Sequence, residues 1–501
     1  MEPATPIPVI ARLLDQALAS RAAATAVVGR SGALSFAQLD AAAGAAAGAL
    51  WQAGVRPGDR VAACLPNDLD VVVAFHGVQR IGAVWVGIGE ALAQSEQQAL
   101  ADIVQPAAVL AGPRCLLDGP AVIGPRRWAG LMEAGHRAPA VGVDPHAPAG
   151  IAFSSGTTGA PKAIVHSQHN LVLPAAVLVA TRGWGPDLRK GDSLPFTILN
   201  MLVLSTLVAV QSGGCTIVMD RRDPEGVAEW IQRAQVTVWN GAPAQLYDLA
   251  RRPDLALAPL AEVWTGGGSC PEHIRDAFQA THGLPVTATY GLSEAPTVVA
   301  IDPVSGAHRE GASGQVLPHL TVAAYGKNGH RLGPGDRGEL GISAAAAGPW
   351  AGSWRPPLGY WEDGAVRPAG PAGSTVMTGD VGWVDPERWL TMMDRSKLMI
   401  VRGGANVSPA EVEGVLLEHP SVSAAVVFGL PDERLGERVA ALIVTADAAL
   451  DAASLTSFCG RRLARYKIPE RWARSESLPT NAMGKILRTD LVSRLSSAVP
   501  L

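Results

Sequence analysis

Phe153-Ser154-Ser155-Gly156-Thr157-Thr158-Gly159-Ala160-Pro161-Lys162 is the stretch from which the fold is read. It follows the apolar run Ala149 to Phe153, a buried-strand pattern, as a nucleotide loop should. Its two glycines let the backbone turn tightly and approach an anion. The hydroxyls of Ser154, Ser155, Thr157 and Thr158 can donate to phosphate oxygens, and Lys162 adds a positive charge. A Walker A loop is excluded, because that motif needs Gly directly before Lys-Ser/Thr, and here Pro161 precedes Lys162 and Ala163 follows it. A plain surface loop is the bland alternative. The length of the run and the cation placed after proline weigh against it.

Around this loop, helix-like and strand-like segments alternate. Phe36 to Trp51 is an alanine-rich helix ending at Gly54, Pro57-Gly58-Asp59 is a turn, and Arg60 to Leu65 is a buried strand. Val71 to Gly82 reads as helix and Ala83 to Gly87 as strand. After Pro148 the pattern predicts strands at 150–154, 215–219 and 236–239, with helices at 167–181 and 224–234. Such alternation implies a parallel sheet covered on both faces. Beyond about residue 311 the strands shorten and Gly and Pro become frequent, as in Arg337 to Ile342, which suggests a small β-barrel-like unit. The tail mixes helices at 411–419 and 455–465 with strands at 422–428 and 438–445, an α+β unit. The expected division is a large α/β domain over 1–395 and a small one over 396–501.

Composition narrows the class. With 501 residues, 48% hydrophobic and 17% charged, the chain reads as globular with a large core. A net charge of −4 gives no reason to expect nucleic acid. Five scattered cysteines form no C-x-x-C pair, which argues against a zinc site or disulfide framework and for a reducing cytoplasm. The most apolar stretch, Leu194 to Val210, is broken by Thr197, Asn200, Ser205 and Thr206, so a buried helix is expected there and no membrane span.

Five further segments carry chemistry-bearing residues. Tyr290-Gly291-Leu292-Ser293-Glu294 offers a carboxylate suited to Mg²⁺, which favours oxygen ligands. Thr265-Gly266-Gly267-Gly268-Ser269 follows a strand and could equally be a strand-to-helix turn. Thr378-Gly379-Asp380, preceded by Gly359-Tyr360-Trp361, presents a carboxylate able to accept two hydrogen bonds. Arg395-Ser396-Lys397 leads into Arg402-Gly403-Gly404, and Pro479-Thr480-Asn481-Ala482-Met483-Gly484-Lys485 closes the series. Taken singly, most of these are ordinary turns.

Taken in order, they resemble the motifs of the adenylate-forming superfamily: acyl-CoA synthetases, peptide-synthetase adenylation domains and beetle luciferases. The resemblance runs from about residue 30 to 490. It implies an acid–thiol ligase that uses ATP, Mg²⁺ and coenzyme A, or else a carrier-protein thiol. It implies that Ser154, Ser155, Gly156, Thr157, Thr158, Gly159 and Lys162 hold phosphate, with Thr158 among the catalytic groups. Tyr290 would stack on adenine beside Gly267, Gly268 and Gly291, Ser293 would contact the α-phosphate, and Glu294 would hold the metal. Asp380 would bind ribose, and Arg395 would assist there or at the α-phosphate. Lys397 would be the hinge. Lys485 would bridge the acid and the α-phosphate.

The same resemblance assigns Arg402, Gly403 and Gly404 to the pantetheine tunnel, and Tyr466 and Lys467 to the nucleotide end of coenzyme A. Nine basic against three acidic side chains between Arg461 and Arg494 fit that use, or a solvated face. The acid pocket is expected among Phe196, Asn200, Trp239, Gly266 and Ala295. No His follows Phe196 to gate it, and no Asp follows closely to hold an ammonium, so α-amino acids are disfavoured. A hydrophobic aryl, alicyclic or short-to-medium-chain acid fits these walls.

Overall fold

The computed structural model describes residues 9–155, 161–266, 270, 272–326, 328–371, 373–395, 399–478, 491–492, 495 and 499–501. Its architecture is mixed α/β, with a large body built on two sheets and a smaller C-terminal one.

The first sheet has eight strands. Pro148–Ser155, Val84–Gly87, Arg60–Cys64, Ala108–Ala111 and Val122–Ile123 run parallel in that spatial order. Pro161–Ser167 turns back antiparallel on Pro148–Ser155, and Gly359–Glu362 adds to it. The helix Phe36–Gln52 packs against the helix Leu69–Arg80, which packs on the strand Val84–Gly87 of this sheet. Their small residues let them approach closely: a Cβ on Gly77 would lie 2.6 Å from that of Ala46. The alanine enrichment thus serves backbone proximity. Ser35 and Gln38 close a capping box at the start of the first of these helices.

The second sheet has thirteen strands. Cys215–Val218, Arg189–Asp192, Val238–Gly241, Glu262–Thr265 and Val286–Leu292 form its parallel part. From Thr297–Ile301 onward the order turns antiparallel, through Ala312–Val316, Trp389–Arg395, Val376–Val384, Gly338–Ala344 and Leu320–Tyr325. The short strands beyond Ala312 therefore extend the parallel sheet. In the smaller body, Ala424–Asp432 and Gly436–Val444 form a long hairpin covered by the helices Pro409–Leu417 and Ala452–Gly460.

One expected element differs. Helix begins only at Leu199, running as Leu199–Leu202, a π turn Val203–Leu207 and Val208–Ser212. Residues 194–198 are held out of it. Asn67 Nδ2 donates to the Leu194 and Met219 carbonyls, each at 2.9 Å, while its Oδ1 accepts from Phe196 N. Trp85 Nε1 donates to the Thr197 carbonyl at 3.0 Å. Pro195 also biases Leu194 away from helical backbone.

Candidate active site

Strand ends from both sheets converge on the segments singled out in the sequence. Lys162 stands second in the strand Pro161–Ser167, in register with Ser154 across the hairpin. Its Nζ lies 5.8 Å from the ring centroid of Tyr360, whose strand pairs with the same one. The Tyr360 hydroxyl titrates above its usual range, chiefly because it is buried and also because Glu294 and Glu362 oppose its ionisation. Lys162, Tyr360 and Glu294 thus share one neighbourhood.

Glu294 projects from a turn forced tight by its neighbours. A Cβ on Gly291 would fall 1.7 Å from the Thr297 carbonyl oxygen, so only glycine fits. Thr297 closes the turn at φ +99°, a conformation that a β-branched residue adopts only under strain. His166, which sequence reasoning passed over, braces the same turn. Its Nε2 donates to the Ser293 carbonyl at 2.8 Å, and its ring is buried. Burial pushes its pKa down to about 4 and outweighs that hydrogen bond, so the ring is neutral at pH 7. A histidine in an apolar strand gives no local signal of such a role.

Asp380 stands on the antiparallel part of the second sheet, in register with Arg395. The Tyr290 hydroxyl donates to Asp380 Oδ2 at 2.7 Å, joining the expected adenine and ribose contacts. Gly379 at φ +74° and a bond from Asp380 N to Thr378 Oγ1 at 3.0 Å fix the carboxylate's approach. Near the other glycine segment, a Cβ on Gly266 would lie 2.1 Å from Thr289 Oγ1, so that strand end must be bare.

The smaller body lies against this site through its glycine loop. Gly403 and Gly404 take φ +60° and +87°. A Cβ on Gly404 would lie 3.2 Å from that of Ala242, at the start of the helix Pro243–Leu249. Arg434 pairs with Asp248 of the same helix at 2.5 Å, and Arg251, just beyond its end, pairs with Glu433 at 3.1 Å.

Several assignments change. Trp239 does not line a pocket: it is fully buried in the core formed with Ile217, Trp230, Leu246 and Val263, on the helix-covered face of its strand. Strand alternation instead puts Asn240 on the opposite face. Phe196 and Ala295 are buried in the main core, and Asn200 is half-buried on its short helix. Lys467 is not available to a phosphate, because its ammonium is held by Glu96 and Glu411. Tyr466 packs half-buried against the small-domain core, and Arg402 is engaged by Glu470. Gly156, Thr157, Thr158, Gly159, Gly267, Gly268, Lys397 and Lys485 lie outside the described residues, as do the side chains of Ser155 and Arg395.

The described residues hold no group of three or more His, Cys, Asp or Glu that could bind a metal. One carboxylate, Glu294, suits an ion that takes one or two protein oxygens and completes its shell with phosphate and water. No helix among them is long and apolar enough to cross a membrane.

Residues 14–348 match the model of the AMP-binding enzyme family, and residues 411–485 that of the AMP-binding enzyme C-terminal domain. The chain is 31% identical over 493 residues to a long-chain-fatty-acid–CoA ligase of Mycobacterium tuberculosis, covering 93% of this chain and 94% of that one. It is 31% identical over 497 residues to a feruloyl-CoA synthase of Amycolatopsis sp., covering 94% and 96%. Among solved structures, a double mutant of o-succinylbenzoate CoA synthetase from Bacillus subtilis, bound with its product analogue, superposes with a TM-score of 0.85 at 25% identity. The match covers 98% of this chain and 99% of that one.

Proposed function

The chain belongs to the AMP-binding enzyme family, an ATP-dependent acid–thiol ligase of the acyl-CoA synthetase type, and from that premise we propose how its residues divide the work. The reaction has two halves. A carboxylate oxygen attacks the α-phosphorus of ATP and pyrophosphate leaves, giving acyl-AMP. The coenzyme A thiol then attacks the acyl carbon and AMP leaves, giving the thioester.

In the first half, Lys162 and the hydroxyls of the Phe153-to-Lys162 loop hold the phosphates, and Ser293 meets the α-phosphate. Tyr290 stacks on adenine while its hydroxyl keeps Asp380 aimed at the ribose, with Arg395 beside it. Glu294 holds the Mg²⁺, which when bound would offset phosphate charge and orient the attacked phosphorus. Lys485 offsets the negative charge that develops as the two anionic groups meet. Catalysis of this kind is largely positioning plus electrostatics.

The second half needs Gly403 and Gly404 at the site, where they leave room for a pantetheine arm beside Ala242. We place the hinge at Lys397, between a large domain over 1–395 and a small one over 396–501, and the enzyme in the cytoplasm. The acid is hydrophobic: aryl, alicyclic or short-to-medium-chain aliphatic, received near Phe196, Asn200, Gly266 and Ala295. Trp239 is no longer part of that set.

The observation that supports this reading best is the bond from Tyr290 to Asp380, which links two motifs 90 residues apart as one nucleotide cradle. Pyrophosphate release across a panel of acids, with and without coenzyme A, tests it. A hydrophobic acid should release pyrophosphate and yield a coenzyme A-dependent thioester; release from polar amino acids alone would refute the substrate class.

A further inference from the structure

We infer that Lys467 is a positioning residue for thiol transfer, latching the small domain to Glu96 of the large one in the arrangement that brings Gly403 and Gly404 to the site. This rests on the reading above, in which the two halves of the reaction use different placements of the small domain.

The contact is built from buried charge. Lys467 is only 8% exposed, in the short turn Arg465–Lys467. Its Nζ lies 2.5 Å from Glu96 Oε1 and 2.7 Å from Glu411 Oε1. Glu96 belongs to the large body, on the helix Gln94–Val104, where its other oxygen accepts from Ala93 N at 2.8 Å and so cannot swing freely. Glu411 sits in the first turn of the helix Pro409–Leu417, capped by Ser408. That helix begins directly after the strand Ala405–Val407, which itself follows the two glycines. The ammonium thus joins a fixed point on the large domain to the element that carries the glycine loop. A further bond, Ser95 Oγ to the Arg462 carbonyl at 2.8 Å, reinforces the same edge.

Two carboxylates share one cation here, and burial already pushes the Glu411 carboxyl upward. Lys467 and Glu411 travel together with the small domain, whereas Glu96 does not. Any rotation of that domain parts Lys467 from Glu96 and removes the interaction from the alternative placement. The opposite edge is joined by Arg434 with Asp248 and Arg251 with Glu433, pairs with larger exposure. Such exposed pairs discriminate weakly between arrangements. The buried cluster is therefore the contact that favours one placement over the other.

The test separates the half-reactions in the full-length enzyme with an acid the wild type accepts. Pyrophosphate release in a single turnover reads adenylation, and thioester formation from supplied acyl-AMP and coenzyme A reads transfer. Glu96→Gln should slow transfer about tenfold and leave adenylation unchanged or faster. Lys467→Met should do the same, and the double variant should be no slower than either single one. Glu96→Asp, which keeps the charge but retracts it by one methylene, provides a milder variant whose folding is checked by its melting temperature. Equal slowing of both halves, or unchanged transfer, overturns the latch. A wild type that releases no pyrophosphate with any acid would instead overturn the functional reading.

Discussion

His166 and Ser293, 127 residues apart in the chain, are joined by one bond of 2.8 Å between the imidazole Nε2 and a backbone carbonyl. It ties the strand that carries Lys162 to the turn that carries Glu294, so cation and carboxylate keep a fixed spacing. Replacing His166 by Leu leaves a buried carbonyl without its donor, a loss of about 1–3 kcal/mol. Part of that loss falls on stability and part on the turn. We expect His166→Leu to raise the KM for Mg·ATP by about tenfold, with the KM for the acid little changed, and His166→Gln to recover part of the loss. Steady-state kinetics with each substrate varied in turn checks this; an unchanged KM for ATP would show that the bond only stabilises the fold.

The same ring contributes to an acid limit on stability. His166 titrates near 4, and His76 and His319 near 3, each because burial disfavours the charged ring. All three are neutral in the fold and regain an ordinary pKa near 6.5 on unfolding. Their stabilising effect is therefore complete above about pH 6.5 and is lost as pH falls toward 4. Linkage gives about 2 kcal/mol for each between pH 7 and pH 5. Melting temperature should drop steeply below pH 6, and His319→Gln should flatten the curve. A flat profile in the parent protein between pH 7 and pH 5 would contradict the assignment.

Tyr290→Phe removes only the hydroxyl that steers Asp380. The ring remains for stacking, so the expected effect is one hydrogen bond to a charged group, about 1.5–3 kcal/mol at most. The KM for ATP should rise roughly tenfold while kcat for adenylation stays within a factor of about three. Asp380→Asn should cost at least as much, since the carboxylate is also assigned to the ribose, and the two effects should add less than fully because they share one bond. Additivity would mean that the hydroxyl and the carboxylate act separately.

Where sequence reading succeeded and where it stopped follows from the range of the forces involved. The strand Pro148–Ser155 and the helix Phe36–Gln52 are set by local pattern: an apolar run before a glycine-rich stretch, and an alanine-rich run closed by a capping box. The start of the helix after Leu194 is set mainly by Asn67 and Trp85, which lie more than 100 residues away, and nearby only Pro195 points to it. Trp239 failed for a related reason. The strand Val238–Gly241 is buried along its whole length, so its sequence does not say which side chain faces which layer. Lys467 is paired with a residue 371 positions away, and a basic cluster counted along the chain cannot show which of its members are already neutralised.

Lys485 is assigned to the first half-reaction alone. Lys485→Ala should lower adenylation by about 10²–10³, the loss typical of removing one charge-stabilising donor. Transfer from supplied acyl-AMP should be largely kept, because the adenylate already exists. Pre-formed acyl-AMP with coenzyme A, followed by thioester detection, makes the comparison. Equal loss in both halves would count against the role.

Gly404→Ala addresses the opposite half. The residue sits at φ +87°, and its new Cβ would come within 3.2 Å of the Ala242 Cβ. An L-residue there bears about 1–2 kcal/mol of backbone strain, and the added methyl narrows the gap through which a pantetheine arm would pass. The narrowing acts only when the glycine loop is seated against the large domain, whereas the strain is a cost to the loop itself. Adenylation should therefore be unaffected, while transfer slows about tenfold and the KM for coenzyme A rises. That rise distinguishes it from Glu96→Gln, which weakens the seating without narrowing the passage and should leave the KM for coenzyme A nearly as it was. If Gly404→Ala instead reduced pyrophosphate release, the loop would be serving adenylation, and the assignment of the two glycines to the thiol would have to be abandoned.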